Sequence, residues 1–364
     1  STLEVLIFLQ MALDIKENVA LKDYSTMRVG GPARYLTAVS TQEELVEALD
    51  FAKKKSLPVF VVGGGSNVVF LDSGYGGLVI ACRVKGFKVL RETKKHVFIK
   101  VGAGEVWDNV VSRSVEMGLS GIEAMSIVPG LVGAAPIHNI GCYGQEVSET
   151  ILELTAYDTK KEEGVIFENQ DCKFGYRISR FEKEDKGRYV VLDVTFRLGH
   201  TWMKPPFYKD VEQYFKEHGV KEYSPNEIRK AVIAIRTYKL PDPNKIANTG
   251  SFFRNPVVSM KKFNNIAERV PSLNEAPKGW PQPPRWFLSD GKVKIAAARL
   301  VELAGFSSYE DKETGMATWP RQNLVLVNQN ARSAADVIVF RNKIVKAVKD
   351  MFDIELEDEV EIVQ

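Results

Sequence analysis

A short apolar run that ends in three consecutive glycines limits the fold of this chain more than any other feature. Residues 57–62 read Leu-Pro-Val-Phe-Val-Val, and Gly63-Gly64-Gly65-Ser66-Asn67 follows directly. This pattern predicts a buried strand that ends in a tight turn. The turn lacks the Gly-Lys-Ser/Thr of a Walker A loop and the third glycine of the Rossmann fingerprint. Two interpretations stay open: a nest of backbone N–H groups that binds phosphate, or a tight turn without a ligand.

Two further segments extend this pattern. A predicted strand at residues 97–101 leads into Gly102-Ala103-Gly104-Glu105, and residues 119–144 are rich in glycine, alanine and proline with almost no charge. Such an apolar segment either packs as turns within the core or forms a wall that a ligand approaches closely. Two glycine turns and one apolar segment in the same half of the chain favour an extended, partly apolar cofactor. A flavin fits this description better than ATP does.

The order of elements predicts an α+β protein with more than one domain. Short strands, glycine turns and helices alternate up to about residue 199, and a loop with two prolines follows. Helices are predicted after Ser224 and near Ser333, and alternating apolar and acidic residues predict a last strand over 354–363. A length of 364 residues suits two or three domains. We interpret residues 1–10 as a linker left by an expression vector, with a natural start at Met11.

Composition excludes several functional classes. The chain has 49 Lys and Arg against 47 Asp and Glu, and this balance argues against a large nucleic-acid surface. Its three cysteines form no CxxC pair, so we expect no zinc site and no disulfide framework, as in the cytosol. No apolar run is long enough to predict a membrane span. We therefore expect a cytoplasmic monomer that holds no metal.

Four side chains are candidates for a functional site. Ser251 precedes two phenylalanines, where it is either a proton donor in a dry pocket or a buried serine satisfied by the backbone. Arg177 offers a planar fork for a carboxylate or phosphate, or else forms a surface ion pair. Taken alone, Lys239 is a weak signal beside a proline-rich helix end, and Glu359 is more typical of a solvated acidic edge than of a site. A Ser-His-Asp hydrolase is excluded, because no G-x-S-x-G elbow surrounds Ser251.

Taken in chain order, the motifs resemble those of one enzyme family. They comprise residues 24–33 (Tyr-Ser-Thr-Met-Arg-Val-Gly-Gly-Pro-Ala), 64–68, 127–144, 174–177, 239–243, 250–256 and 356–360. Together they resemble the UDP-N-acetylenolpyruvoylglucosamine reductases, the flavoenzymes of bacterial peptidoglycan precursor synthesis, over residues 23–360. The resemblance implies a two-subdomain FAD-binding fold of the vanillyl-alcohol-oxidase (PCMH) type over residues 11–203, split near residue 85. It also implies a C-terminal α+β substrate-binding domain over residues 204–364.

The resemblance further implies a reaction. In this family NADPH reduces FAD, and hydride then passes from the flavin N5 to the terminal enolpyruvyl carbon of UDP-N-acetylglucosamine enolpyruvate, which gives UDP-N-acetylmuramate. By resemblance, Ser251 is the general acid that protonates C2, and Arg177 and Glu359 lie at the substrate carboxylate. A charged carboxylate would repel the developing negative charge, so Glu359 has to be neutral or placed to hold another donor, and we expect burial to raise its pKa.

The resemblance also assigns binding residues. The FAD pyrophosphate is expected at the first glycine segment and the isoalloxazine at the second, with the contacts Gly63, Gly64, Gly65, Ser66, Asn67, Val68, Ile127, Pro129, Gly130, Ala134 and Ile140. The expected substrate-binding residues are Tyr143, Tyr176, Tyr208, Lys239 and Asn255, where Tyr208 belongs to a loop of the longer family subtype.

The sequence departs from the family pattern at three places, and two other functions compete. Trp319-Pro320 stands where histidine is more frequent, Glu361 stands where arginine can occur, and residues 271–284 form a longer loop. A flavin oxidase of the same FAD fold is disfavoured by the 250–256 motif and by the lack of a covalent-flavin His or Cys context. A sugar-nucleotide-binding protein without activity is disfavoured because Arg177, Ser251 and Glu359 are all present.

Overall fold

A computed structural model describes residues 13–277 and 282–364. The interpretation of residues 1–10 as a linker therefore lies outside the described residues, as does part of the 271–284 loop. None of the helices within the described ranges is long and apolar enough to cross a membrane.

The first part of the chain forms a mixed four-stranded sheet. Its elements are β1 (Lys16–Ala20), β2 (Pro32–Val39), α1 (Gln42–Lys54), β3 (Val59–Val62), β4 (Val68–Phe70) and β5 (Tyr75–Cys82). The sheet order is β1-β2-β5-β3, in which β5 runs parallel to both of its neighbours. Helix α1 begins after Thr41, whose hydroxyl accepts from the Glu44 N–H, and buries Leu45, Ala48 and Ala52. The glycine turn therefore starts at the carboxyl end of the parallel strand β3.

The second part is an antiparallel sheet in a separate layer. Its elements are β6 (Phe87–Glu92), β7 (His96–Gly102), α2 (Trp107–Glu116), α3 (Ala135–His138), β8 (Gly141–Cys142), β9 (Gln145–Glu146), β10 (Ile151–Asp158), β11 (Glu163–Glu168) and β12 (Tyr189–Gly199). The five-stranded order is β11-β10-β12-β7-β6. Ile122, Met125 and Val132 of the charge-poor segment join Trp107 and Phe196 in the core of this part. The segment thus packs in the core along one side.

Two helices follow, α4 (Lys209–His218) and α5 (Pro225–Lys239). The Ser224 hydroxyl caps α5 by accepting from the Glu227 N–H, and α5 ends before Pro241, so both predicted ends of this helix are confirmed. Val211, Phe215, Ile228 and Val232 form a small core with Ala124. The pair therefore packs against the charge-poor segment of the second part.

The last part contains β13 (Ala247–Ser251), β14 (Val257–Ser259), α6 (Met260–Arg269), β15 (Arg285–Phe287), β16 (Lys292–Ile295), α7 (Ala297–Leu303), β17 (Glu310–Asp311), β18 (Met316–Trp319), β19 (Gln322–Asn328), α8 (Ala334–Phe352) and β20 (Glu361–Val363). Its sheets have the orders β13-β19-β18-β17 and β14-β16-β15. Helix α8 begins after Ser333, as predicted, and its apolar face fills the core with Val337, Phe340, Ile344 and Val348.

The predicted strand over residues 354–363 is wrong for most of its length. Ile354, Leu356 and Val360 are buried in alternation, but a regular strand covers only β20, which pairs in parallel with β4. Residues 357–359 instead exchange backbone hydrogen bonds with the loop after β13: Arg254 donates to the Glu357 carbonyl at 2.9 Å, and Glu359 donates to the Phe252 carbonyl at 2.8 Å. The end of the chain therefore joins the loop after β13 to strand β4.

Candidate active site

A cleft of about 1660 Å³ lies where the parts of the molecule meet. Its lining includes every residue expected to bind FAD and all three expected catalytic residues, Arg177, Ser251 and Glu359. The five expected substrate-binding residues are not among the described residues that line it. The structure thus brings fourteen of the nineteen candidates to one cleft and leaves five outside its wall.

The two glycine-rich segments meet at one side of this cleft. Gly65 has a φ of +67°, and a Cβ there would lie 2.0 Å from the Tyr24 carbonyl oxygen. A Cβ on Gly64 would lie 3.1 Å from the Gly130 Cα. The Ser66 hydroxyl also donates to the carbonyl of Pro129 at 3.3 Å. Glycine is required here because two backbone segments approach each other closely.

The glycine turn also has free hydrogen-bond donors. Within residues 13–277 and 282–364, the backbone N–H groups of Gly64, Gly65, Ser66 and Asn67 donate to no protein acceptor. Consecutive unpaired N–H groups beside a cleft form the donor set that a phosphate needs. The turn therefore fits the pyrophosphate of a dinucleotide, and the adjoining apolar residues 127–135 fit a flat ring system.

A partly buried ion pair fixes the second glycine-rich segment. Ile127 adopts a φ of +50°, and its N–H donates to an Asp108 carboxylate oxygen at 2.6 Å. Arg229 of α5 binds both oxygens of Asp108, at 2.6 and 2.9 Å. Burial alone would raise the pKa of Asp108, but the bonds from Arg229 and Ile127 outweigh it and hold this pKa below its ordinary value. Sequence reasoning missed both residues of the pair.

Ser251 stands at the end of β13 and is held by its neighbours. Phe252 and Phe253 are fully buried in the C-terminal core and anchor the chain on one side of the serine. The Phe252 carbonyl accepts the Glu359 N–H at 2.8 Å, so the backbone of Glu359 lies beside this segment. The two phenylalanines are therefore core residues that fix the position of a half-buried serine in the cleft wall.

Arg177 and Glu359 face the same part of the cleft. Arg177 lies in a tight turn with a φ of +54°, and its guanidinium donates to the carbonyls of Asn139, at 3.3 Å, and Gly141. Burial raises the pKa of Glu359, although Arg177, Arg254 and His138 each act to lower it. This agrees with the direction expected from the sequence.

The expected substrate-binding residues form separate clusters next to the cleft. Tyr143 and Tyr208 meet edge to face with ring centroids 5.4 Å apart, and burial raises the pKa of both hydroxyls. Nearby, Lys239 forms an ion pair with Asp210 at 2.6 Å. Lys294 lies 4.3 Å above the exposed ring of Tyr176. Asn255 uses its side-chain oxygen to accept the Ala297 N–H at the start of α7.

Two arginines in the cleft wall were not among the candidates. Arg236 follows Arg229 by seven residues on α5, and its buried Nε has no partner among the described residues. Arg254 belongs to the 250–256 motif and binds the carboxylate of Glu182. The seven-residue spacing on a helix was the signal for the first, since it places both side chains on one face.

Comparison with known proteins agrees with this geometry. A family model described as "FAD binding domain" matches residues 33–163. A second, "UDP-N-acetylenolpyruvoylglucosamine reductase, C-terminal domain", matches residues 242–363. The fold prediction, an FAD-binding fold of the PCMH type with a C-terminal α+β domain, is therefore confirmed, as is FAD as the cofactor.

Relatives match the chain over nearly its whole length. UDP-N-acetylenolpyruvoylglucosamine reductases from Pseudomonas syringae pv. syringae and Pseudomonas aeruginosa are each 35% identical, covering 96% of this chain and 99% of theirs. The crystal structure of the reductase from Thermus caldophilus has the same fold, with a TM-score of 0.65 and 22% identity over 97% of this chain and 100% of that chain. The prediction of a flavin-dependent oxidoreductase is confirmed: the chain belongs to the UDP-N-acetylenolpyruvoylglucosamine reductase family.

Proposed function

We propose that this protein uses NADPH and FAD to reduce UDP-N-acetylglucosamine enolpyruvate to UDP-N-acetylmuramate. One observation carries the proposal: Arg177, Ser251 and Glu359 come from three distant segments of the chain, yet all line the cleft that contains the glycine turn. The names of the relatives support the choice of substrate. Bound FAD would supply the hydride chemistry.

The chain's residues would hold FAD mainly through the backbone. The unpaired N–H groups of residues 64–67 would bind the pyrophosphate, and the segment from Ile127 to Ile140 would cover the isoalloxazine. The Asp108–Arg229 pair would keep Ile127 in its left-handed conformation. These residues orient the cofactor and exclude water from its reactive side.

The opposite wall would serve the substrate's reacting carbons. Addition of hydride to the terminal enolpyruvyl carbon puts negative charge on C2 and on the adjoining carboxylate. Arg177, already anchored by two carbonyls, would pair with that carboxylate. A protonated Glu359 would donate a hydrogen bond to the developing charge, and the Ser251 hydroxyl would deliver a proton to C2. One hydride and one proton then saturate the double bond.

The residues outside the cleft wall would bind the nucleotide part of the substrate. Lys239 would exchange its partner Asp210 for a phosphate, with Tyr143 and Tyr208 beside it. Asn255 retains its side-chain N–H₂ group for a ligand, because within residues 13–277 and 282–364 only its oxygen forms a hydrogen bond, with α7. Tyr176 would also lie against the substrate. In this proposal residues 11–203 form the FAD-binding domain and residues 204–364 the substrate-binding domain, while Tyr143, Tyr176 and Arg177 of the first domain also reach the substrate.

An anaerobic spectral titration tests the proposal. The purified, FAD-loaded protein is reduced with NADPH, and UDP-N-acetylglucosamine enolpyruvate is then added. We expect the flavin band to bleach and then to return as the substrate is reduced. Bleaching without return would contradict this substrate and favour the flavin oxidase alternative.

A further inference from the structure

A second carboxylate lies close to Glu359 and has no part in the reaction described above. Glu182 lines the cleft between β11 and β12, and only 15% of its side chain is exposed. One of its oxygens binds the Arg254 guanidinium, and the other lies 3.4 Å from the His138 Nδ1. Burial alone would raise the pKa of Glu182, but His138 and Arg254 hold it below its ordinary value. Glu182 is therefore a buried negative charge.

Arg254 is the cation that Glu182 controls. Its backbone N–H donates to the Glu357 carbonyl at 2.9 Å, and its Nε donates to the Asp358 carbonyl at 3.3 Å. The guanidinium therefore lies against the backbone next to Glu359 while its outer nitrogen is bound by Glu182. An unrestrained arginine in this place would form an ion pair with the Glu359 carboxylate, because opposite charges attract strongly in a buried site.

The other charged groups around Glu359 are already engaged. Arg177 donates to the carbonyls of Asn139 and Gly141. His138 faces Glu182, and the side chain of Asp358 is paired with Arg341 of α8 at 2.9 Å. The side chain of Asn67 donates to the Glu359 backbone carbonyl at 3.1 Å. Arg254 differs from these groups because its guanidinium donates to the carbonyl of Asp358, the residue next to Glu359, and is restrained on its outer side by Glu182.

We propose that Glu182 is a positioning residue whose carboxylate holds the Arg254 guanidinium away from the carboxylate of Glu359. The inference rests on the proposed function only for its catalytic meaning: a neutral Glu359 can donate a hydrogen bond to the charge that develops on the substrate, and an ionised one cannot. His138 completes the arrangement by holding the second oxygen of Glu182.

Direct titration of Glu359 tests the inference without any substrate. Infrared difference spectra of the FAD-loaded enzyme would follow the protonated carboxyl band, assigned by its loss in Glu359→Gln, across a pH series. We expect Glu182→Gln to move the midpoint of this band to lower pH by about one unit or more, because Arg254 is freed to pair with Glu359. Glu182→Gln keeps the shape of the side chain and so removes mainly its charge.

Two further variants separate this inference from simple loss of a negative charge. Glu184→Gln is the matched control, because Glu184 lies two residues away and pairs with Lys173 at the surface, at 2.7 Å. It should leave the midpoint unchanged. In an Arg254→Gln background no arginine can move, so Glu182→Gln should shift the midpoint much less there than in the unmodified protein, whereas a direct effect of the Glu182 charge would shift it equally in both.

The possible outcomes each decide the matter. An unchanged midpoint in Glu182→Gln would overturn the inference, and so would an effect of Glu182→Gln that is as large in the Arg254→Gln background as in the unmodified protein. A shift with Glu184→Gln of the same size would also overturn it. If the midpoint moves as expected but the enolpyruvyl sugar nucleotide does not reoxidise the reduced flavin, the inference stands and the proposed function fails.

Discussion

The two walls of the cleft are built in different ways. The glycine wall consists of backbone groups from two short segments, residues 63–68 and 127–135, each continuous in sequence. The catalytic wall consists of the side chains of Arg177, Ser251 and Glu359, which only the complete fold brings together. Changes in the first wall should therefore alter folding and cofactor retention, and changes in the second should alter chemistry while the fold persists.

Ser251→Ala should give the largest effect and should fall on one half-reaction alone. Loss of the proton donor is expected to slow flavin reoxidation by the enolpyruvyl substrate by about 10²–10⁴-fold, since a positioned general acid contributes that much. Anaerobic stopped-flow measurement of flavin absorbance gives both half-reactions. Reduction by NADPH in the same variant is the internal control and should be unchanged. Equal loss in both halves would refute the role of Ser251.

Gly65→Ala should distort the glycine wall and lower the stability of the folded protein. The substitution imposes a positive φ on alanine and places its Cβ 2.0 Å from the Tyr24 carbonyl oxygen. We expect unfolding to be easier by about 2 kcal/mol or more, together with a lower FAD content. Chemical denaturation and flavin absorbance measure both quantities.

Gly76→Ala is the matched control for this second prediction. Gly76 lies in β5 of the same sheet, and an added Cβ would meet nothing within 4 Å. It should retain both stability and flavin. Equal stability of the two variants would show that the close approach between Gly65 and Tyr24 does not contribute to the requirement for glycine in this wall.

The contrast between the walls also explains what the sequence could predict. The strand before Gly63 and the caps at Ser224 and Ser333 were found because they depend on neighbours within a few residues. The segment 354–360 was mistaken for a strand because its alternate residues are buried, as in a strand. The sequence does not show that its backbone hydrogen bonds go to a loop and not to a neighbouring strand.

The site could be predicted only in part for the same reason. The glycine turn pointed to a phosphate, but Ser251, Arg177 and Glu359 were assigned through resemblance, because no local pattern shows that they share a cleft. The Asp108–Arg229 pair was missed since its partners are separated by 121 residues. Contacts of this kind appear in a sequence only as single charged residues.

Asp108→Asn should give a smaller, pH-dependent effect on the glycine wall. The variant weakens the bonds to Arg229 and to the Ile127 N–H, and we expect a loss of about 1–2 kcal/mol near neutral pH. Folding lowers the pKa of Asp108, so its ionised form stabilises the native protein above the unfolded pKa of about 4. That contribution is lost as the pH falls through the folded value.

The stability difference between the unmodified protein and Asp108→Asn should therefore narrow below about pH 4. Urea unfolding over a pH series measures this difference. Asp350→Asn, in an exposed pair with Lys346, is the control and should show no such trend. A constant difference at all pH values would contradict the assignment of the effect to the charge of Asp108.

The smallest effect is expected at the exposed end of the glycine wall. There Lys53 of α1 forms an ion pair with Glu162, just before β11, and 69% and 54% of the two side chains are exposed. Solvent screens such a pair, so Lys53→Ala should leave the thermal midpoint and the FAD content unchanged within measurement error. A clear fall in either would mean that surface charge, and not the close packing of glycine backbone, holds the first two sheets together at this wall. The cleft would then depend on surface ion pairs as well as on its backbone wall and its side-chain wall.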